Sequence, residues 1–385
     1  MTELPGKNPS DARARAEFPR ARPDIGDAGI DAVMLRNRHG LCAEVTNLGA
    51  ALSAMWAPDR NGRRADVVLG YAGIGARVAR RDYFGVSVGR VAGRISRARF
   101  ALDASEVVLD ANESGACLHG GPHGFDTRVW RWLAVDAQRA RLQLISDDGD
   151  QGFPGRLSVE VEYRLDDADE LWVEYSAVCD RPTVVNLTHH PFWNLAGEGA
   201  GAVDGHELTL FASRFAVLDE ALLPTGEIRR VDASAFDFRT PRRIADGLRD
   251  SADPQLRAAG GYDHYWILDE DTAAGVRLAA RLSEPGSGRV LEVFTDQPGL
   301  QFYSGNFLDG SVTGKSAKRY RARAGLCLEP QAFPDAANRP EFPSIRVEAG
   351  QIYRNRIGYR FSGAAAGSEP GRGPHPEQGD RGSMQ

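Results

Sequence analysis

The chain is poor in cysteine. Its 385 residues include four, Cys42, Cys117, Cys179 and Cys327, and no two of them form a C-x-x-C pair. This spacing fits neither a zinc ribbon nor a dense disulfide framework. We therefore expect free thiols in a reducing compartment, which predicts a cytoplasmic protein.

Long apolar runs and an excess of basic charge are also missing. No stretch reaches the roughly 18–20 apolar residues that span a bilayer, and residues 1–29 lack the apolar segment of a secretory signal. The 47 Lys and Arg residues are outnumbered by 53 Asp and Glu residues, giving a net charge of −6. A nucleic-acid-binding protein would present a basic face. The sequence thus predicts a soluble protein that contacts neither membrane nor nucleic acid.

Amphipathic helices are scarce as well, and only Pro241–Leu248 suggests a short one. Instead, apolar and polar residues alternate in LSVEVEYRL (157–165) and again in ELWVEYSAVC (170–179), with a turn-forming DDADE between them. This period of two predicts a β-hairpin with one buried face. Shorter strand-like runs lie at 141–145, 276–282, 289–295 and 300–303. Many short strands and 43 glycines predict an all-β fold, an antiparallel sandwich or barrel.

The chain contains no Ser/Gly/Pro linker or repeat between its ends, so we expect one large domain over residues 29–362. Residues 1–28 and 363–385 are polar and contain little apolar surface, and we predict that both are disordered. His375 lies in the second of these tails and is therefore a poor candidate for chemistry.

Six segments combine glycine, aromatic and titratable residues, a composition typical of a concave site. They are DYFGVSVGRVAGRI (82–95), LHGGPHGFDTRVW (118–130), VVNLTHHPFWNLAG (184–197), GGYDHYWIL (260–268), TDQPGLQFYSGNFLDG (295–310) and LCLEPQAFPDAANRPEFPS (326–344).

Taken singly, these residues leave alternatives open. His119 could be a hydrogen-bonded turn histidine, and Asp263 could be a turn or cap acid. His189 and His190 are adjacent, so in a strand they point to opposite faces and at most one serves a given site. Glu329 follows an apolar run, which means that its carboxylate is either paired in the interior or directed into a pocket.

Two other kinds of site are weaker alternatives. His119 and His123 have no third ligand at a familiar interval, so a zinc or cupin-type metal site is poorly supported. Residues 85–89 read Gly-Val-Ser-Val-Gly, which matches the nucleophile elbow of serine hydrolases and makes Ser87 a candidate nucleophile. That motif needs a strand–turn–helix context, which an all-β chain does not provide.

Together, and in this order, the six segments resemble the aldose 1-epimerase (galactose mutarotase) family. The similarity runs from about Asn47 to YRNRIGYRF (353–361). The resemblance implies a large antiparallel β-sandwich with an open cleft for a free monosaccharide. It also implies that neither a cofactor nor a metal is used. We expect a monomer or weak homodimer.

The resemblance further implies roles for single residues. Glu329 matches the general base, His190 the general acid, and His119 a second active-site histidine that bonds the substrate. Arg94, Asp263 and Gln297 match ligands of the sugar hydroxyls. Phe192, Trp193 and Phe307 are candidates for packing against the sugar.

The sequence departs from the family pattern near these residues. Gly93 stands where the family commonly has Asn, which removes one potential sugar ligand. His189, Pro191 and Pro330 replace the common Asn, Ser and Thr. A hexose-phosphate 1-epimerase and a non-catalytic sugar-binding protein of the same fold stay open as alternatives.

Overall fold

The computed structural model describes residues 29–249, 253–269 and 275–363. Its first thirteen strands are β1 (Ala32–Arg36), β2 (Cys42–Thr46), β3 (Ala51–Pro58), β4 (Arg64–Asp66), β5 (Val86–Val88), β6 (Arg94–Ile95), β7 (Arg99–Leu102), β8 (Ser105–Val108), β9 (Cys117–Leu118), β10 (Arg131–Val135), β11 (Arg139–Ser146), β12 (Leu157–Leu165) and β13 (Glu170–Cys179). The others are β14 (Thr183–Val184), β15 (Thr188–His190), β16 (Glu207–Leu210), β17 (Arg214–Leu218), β18 (Pro224–Arg230), β19 (Arg242–Arg243), β20 (Asp263–Ile267), β21 (Arg277–Ser283), β22 (Arg289–Thr295), β23 (Gly299–Tyr303), β24 (Cys327–Gln331), β25 (Arg346–Val347) and β26 (Ile352–Gly363).

Helices are few and short within the described residues. The α-helices are α1 (Ile74–Ala79), α2 (Ile244–Leu248) and α3 (Pro254–Ala259), and single 3-10 turns lie at Ser96–Ala98, Phe125–Thr127, Asp150–Gly152 and Val203–Gly205. No helix in these ranges has the length and apolar character needed to cross a bilayer. The short helix expected at 241–248 is present only over Ile244–Leu248, as α2, and Arg242–Arg243 form β19 instead.

Three large sheets form the body of the molecule. Nine strands pair in the order β10-β11-β12-β13-β26-β22-β21-β16-β19, four in the order β1-β2-β3-β4, and five in the order β18-β17-β20-β23-β24. All of these pairings are antiparallel. The all-β fold class expected from the sequence is confirmed.

The predicted hairpin supplies two interior strands of the nine-stranded sheet. Leu157 of β12 pairs with Cys179 of β13, and Leu165 pairs with Leu171 at the turn. Every second side chain of β12 is buried, because the alternation of the sequence matches the pleat of the strand. At the turn, the carboxylate of Asp166 accepts hydrogen bonds from the backbone N–H groups of Ala168 and Glu170.

One apolar cluster joins the three sheets into a single domain. Its members include Leu35, Val45 and Leu52 of the four-stranded sheet, Leu142, Val161, Val173 and Tyr359 of the nine-stranded sheet, and Trp266, Phe302 and Leu328 of the five-stranded sheet. The limits predicted for the domain, 29–362, stay a prediction. Of the two segments predicted to be disordered, 1–28 and 363–385, the structure describes only Gly363, which is the last residue of β26 and not disordered as predicted. The rest of both segments lies outside the described residues.

The five-stranded sheet uses its two faces differently. Trp266, Phe302 and Leu328 enter the core, so the neighbouring positions on β20, β23 and β24 point the other way. The segment from β15 to Trp193 continues this sheet, since Trp193 and Leu326 exchange backbone hydrogen bonds of 2.6 and 3.0 Å. The outward face of this extended sheet forms the floor of a cleft.

Candidate active site

Two titratable side chains meet at the centre of the cleft. His190 Nε2 lies 3.4 Å from Glu329 Oε2, and both residues are at least nine-tenths buried. Strand alternation puts His190 on the cleft side of β15 and His189 on the core side, where its Nδ1 lies 3.2 Å from the Tyr359 hydroxyl. The hydroxyl of Thr188 donates to the Pro330 carbonyl at 2.8 Å and ties β15 to β24.

Burial disfavours charge on both members of this pair. It raises the pKa of Glu329 well above its ordinary value, and the nearby Asp263 carboxylate raises that pKa further. Burial lowers the pKa of His190 to about 4. A protonated Glu329 beside a neutral His190 has the same net charge as a carboxylate beside an imidazolium. Moving one proton between Oε2 and Nε2 therefore converts one form into the other without exchange with solvent.

His119 enters the cleft from the loop after β9. Its backbone N–H donates to the Gly93 carbonyl at 3.0 Å, and its Nδ1 accepts from the Gly93 N–H at 3.2 Å. The ring proton is consequently on Nε2, which becomes a donor toward the cleft. The next residue must be glycine: Gly120 has φ +85°, and a Cβ there would lie 1.9 Å from the Gly89 carbonyl oxygen.

His119, His190 and Glu329 bring three possible metal-ligating atoms within 4.8 Å of one another. A histidine that binds zinc offers the lone pair of one nitrogen and donates the N–H of the other. In His119 the hydrogen bond from Gly93 occupies Nδ1, and Nε2 carries the proton. The cluster therefore suits hydrogen bonding to a neutral polar ligand better than it suits metal coordination.

A polar wall lies beside the acid–base pair. Gln301 Nε2 donates to Asp263 Oδ1 at 2.8 Å, and Arg94 Nε donates to Glu113 Oε2 at 2.5 Å. Burial raises the pKa of Asp263, while Arg94 and Gln301 oppose that shift. Burial alone would lower the pKa of Arg94, but Asp263 and Glu113 outweigh it and raise that pKa. The wall thus presents a guanidinium, a carboxyl and an amide, groups that bond hydroxyls.

Aromatic rings form the rest of the cleft. The Tyr83 ring stacks on that of His190 with centroids 5.8 Å apart and meets the His119 ring edge-on at 4.9 Å. Phe307, with 60 % of its surface exposed, stacks on Tyr303 at 5.8 Å at the rim. A ligand with both hydroxyl groups and apolar C–H faces would complement such a cleft.

A model of the Aldose 1-epimerase family matches residues 31–360 of the chain. The chain belongs to the aldose 1-epimerase family.

Curated relatives agree with this membership in the aldose 1-epimerase family. The galactose mutarotase of Rattus norvegicus is 40 % identical over 337 residues, which cover 88 % of this chain and 95 % of the relative. The aldose 1-epimerase of Escherichia coli strain K12 is 35 % identical over 329 residues, covering 85 % and 94 % respectively.

Solved structures of the family share the fold. An aldose epimerase homologue from C. elegans superposes with a TM-score of 0.81 at 30 % identity, covering 87 % of this chain and 100 % of that one. The galactose 1-epimerase of Lactobacillus acidophilus gives a TM-score of 0.77 at 28 % identity, covering 89 % and 97 %.

The structure brings together five of the six site residues that the resemblance to aldose 1-epimerases suggested. Those lining the cleft are Arg94, His119, His190, Asp263 and Glu329. The prediction for Gln297 is corrected. Gln297 lies in the turn between β22 and β23, and its Nε2 donates to Asp296 Oδ1 at 2.9 Å and to the Arg354 carbonyl at 3.4 Å. Gln301, four residues further along, is the glutamine that faces Asp263.

Two other expectations have clear outcomes. Ser87 lies on β5, where its Oγ donates to the Ala50 carbonyl and lies 2.9 Å from the Tyr175 hydroxyl, so it has no place in a nucleophile elbow. Of the three aromatic candidates, Phe192 and Phe307 line the cleft, whereas Trp193 is fully buried.

Sequence reasoning did not single out several other residues that line the cleft, among them Tyr83, Glu113, Gln301 and Gln331. Tyr83, Gln301 and Gln331 belong to segments that were already singled out, so their composition gave a partial signal. Glu113 lies in a loop outside those segments, and only its contact with Arg94 reveals it.

Proposed function

We propose that this chain interconverts the α and β anomers of a free aldose, with Glu329 as general base and His190 as general acid. The observation that carries this proposal is the 3.4 Å approach of the two buried side chains within a cleft lined by hydroxyl-binding groups. A protein that only bound sugar would not require such a pair.

In the first half of the reaction, Glu329 removes the proton from the hydroxyl on C1 while the bond between C1 and the ring oxygen breaks. The electron pair of that bond moves to the ring oxygen, which takes a proton from His190 Nε2. The product is the open-chain aldehyde. A raised pKa makes Glu329 a stronger base than an exposed glutamate.

Ring closure reverses these transfers. Rotation about the C1–C2 bond presents the other face of the carbonyl group to the C5 hydroxyl. His190 takes the proton of that hydroxyl as the oxygen attacks C1, and Glu329 returns its proton to the carbonyl oxygen. Both side chains are then restored, and the pair ends with the single proton with which it began.

The other polar groups hold the sugar while C1 turns. The Nε2–H of His119 points into the cleft as a donor, and Arg94, Asp263 and Gln301 bind ring hydroxyls. Because these contacts fix the rest of the sugar, only C1 is free to rotate. The reacting atoms are then held in the orientation that the reaction requires, which raises the rate.

The charges of the cleft favour a neutral sugar over a sugar phosphate. Among the described residues, Arg94 is the one cationic side chain of the lining, and it is paired with Glu113. Three further acids, Asp82, Asp263 and Glu329, line the same space. A phosphate dianion needs clustered donors such as Arg or Lys, so these carboxyl groups oppose it. We infer a galactose- or glucose-like aldose as the substrate.

The proposal also includes the cellular compartment and the oligomeric state of the protein. The four cysteines are buried and free, which supports a reducing, cytoplasmic compartment. Exposed large apolar side chains such as Val78, Val108 and Phe307 lie on separate elements, which supports a monomer or weak homodimer.

Polarimetry tests the proposed reaction directly. Freshly dissolved α-D-galactose, α-D-glucose, a pentose and galactose 6-phosphate are followed with the wild type and with Glu329→Gln. We expect the wild type to accelerate the free hexoses and the variant to approach the uncatalysed rate. Acceleration of the phosphorylated sugar alone would favour a hexose-phosphate 1-epimerase. Sugar binding without any acceleration would favour a non-catalytic role.

A further inference from the structure

Gln331 is a cleft residue to which the mechanism above gives no task. It lies on β24 two positions after Glu329, so strand alternation directs both side chains to the same face. Gln331 has 1 % of its surface exposed, and the hydroxyl of Tyr265 donates to its backbone carbonyl at 3.0 Å. The backbone at this position is therefore held, and the side chain borders the cleft.

The amide of Gln331 is incompletely bonded. Its Oε1 is buried and has no hydrogen-bond partner in the described part of the chain, although buried carbonyl groups are nearly always paired. Gln301 Oε1 is also buried without a partner, but Gln301 Nε2 donates to Asp263 Oδ1 at 2.8 Å and so fixes that amide. Within the described residues, no hydrogen bond fixes the side-chain amide of Gln331 in this way. A buried acceptor at the edge of a cleft is satisfied most simply by a ligand that occupies the cleft.

Gly93 explains why this amide is open to the cleft. A Cβ at residue 93 would lie 3.7 Å from Gln331 Nε2 and 3.3 Å from Pro334 Cβ. A longer side chain at residue 93 would extend along the amide and compete with a ligand for it. Because residue 93 is glycine, the space beside the amide stays free for a substrate group.

The position of Gln331 along β24 indicates which part of a sugar it meets. Cys327 Sγ lies 3.5 Å from His190 Nδ1, so His190 is beside the start of the strand. Glu329 comes next, and Gln331 lies beyond it. The ring oxygen is assigned to His190 and the C1 hydroxyl to Glu329. Gln331 therefore faces a ring hydroxyl on the side away from the ring oxygen.

We propose that Gln331 binds a ring hydroxyl of the aldose through the space that Gly93 leaves open, and that this contact helps to set which aldose is preferred. The proposal rests on the proposed function. It adds a specificity-determining residue, and it assigns no proton transfer to Gln331.

The test compares wild type with Gln331→Met, which keeps the length of the side chain and removes both polar atoms. Mutarotation is measured with D-galactose and with its 2-, 3-, 4- and 6-deoxy derivatives. For galactose we expect KM to rise about tenfold and kcat to change less than about threefold, the size of one lost hydrogen bond. In the wild type, one deoxy sugar should have a lower kcat/KM than galactose, and this difference is its penalty. In the variant, the penalty for that sugar should disappear.

A second variant, Gly93→Asn, tests the same contact from its other side and does not depend on the folding of Gln331→Met. Asn tolerates the φ of +74° at residue 93. We expect it to alter the penalty for the same deoxy sugar and to leave the other three unchanged. If each of the four deoxy sugars has the same penalty in the wild type and in both variants, the role of Gln331 is overturned.

The two proposals can fail separately. If the wild type accelerates no sugar, the proposed function fails. Gln331 is then judged by calorimetric Kd values for the same five sugars. An unchanged Kd for galactose in Gln331→Met would overturn the contact, and a selective loss for one deoxy position would support it.

Discussion

Replacement of Glu329 by Gln isolates its basicity, because the amide has nearly the same size and shape as the carboxyl group. Glu329 has 2 % of its surface exposed, and an amide of the same shape keeps the packing of β24 and leaves the cleft intact. What disappears is the proton acceptor 3.4 Å from His190 Nε2. A positioned general base contributes roughly 10²–10⁴ in rate. We expect kcat to fall about 10³-fold, equivalent to ~4 kcal/mol in the barrier.

The assay is the initial rate of rotation change with α-D-galactose, corrected for the spontaneous reaction. KM should stay within about threefold of wild type, because the interaction that is lost acts in the transition state. Glu113→Gln is the matched control, since Glu113 is also a cleft carboxylate but contacts Arg94 and not His190. That control should change mainly KM. A kcat for Glu329→Gln within about tenfold of wild type would refute the assignment of the base.

Stability provides an internal check on the same variant. Burial raises the pKa of Glu329 above its value in the unfolded chain, so the folded state holds this proton more tightly. The stability contributed by this group is fully present below the unfolded pKa and is lost as pH rises toward the folded pKa. At pH 8, Glu329→Gln should therefore unfold at the same temperature as wild type or at a higher one. A large drop in that temperature would mean that lost activity reflects misfolding.

Further predictions concern the neighbours of Glu329. His190→Asn should lower kcat by about 10²–10⁴, whereas His189→Asn, on the core side of β15, should lower the unfolding temperature and change kcat less; the opposite order in polarimetry would reverse their roles. Since the pKa of His190 is about 4, kcat/KM should fall as pH drops through that value, where the pair gains a second proton; a profile flat to pH 3 would contradict this. Arg94→Lys keeps the charge but loses the Nε–H on Glu113, so KM should rise about tenfold with kcat nearly unchanged; an unchanged KM would remove Arg94 from the binding wall.

Local pattern was sufficient to predict the strands that alternate clearly. The β12–β13 hairpin follows directly from its period of two, because a strand with one wet face must alternate. The pairing between distant strands could not be obtained in this way. β15 pairs with β5 about a hundred residues earlier in the chain, and no local feature of THH or VSV specifies that partner.

The site shows the same division between local and long-range information. The opposite orientations of His189 and His190 follow from strand geometry, and the structure has them so. Gln297 and Gln301 are both plausible in the sequence, but the choice depends on where the turn ends and β23 begins. Glu113 becomes visible only through its contact with Arg94, because a loop carboxylate has no distinguishing pattern of its own.

The alternating order on β24 has a consequence for how preparations of this protein can be judged. Cys327, Glu329 and Gln331 share one face, and Leu328 and Pro330 share the other. A slip of one residue in the pairing with β23 would turn the carboxyl group into the core and direct Pro330 to the sugar. Such a molecule would keep its strand content and lose all catalysis. Turnover per mole of refolded protein therefore measures the fraction of chains in which β24 pairs with β23 in the correct register. Circular dichroism would not detect the register slip, because it reports strand content.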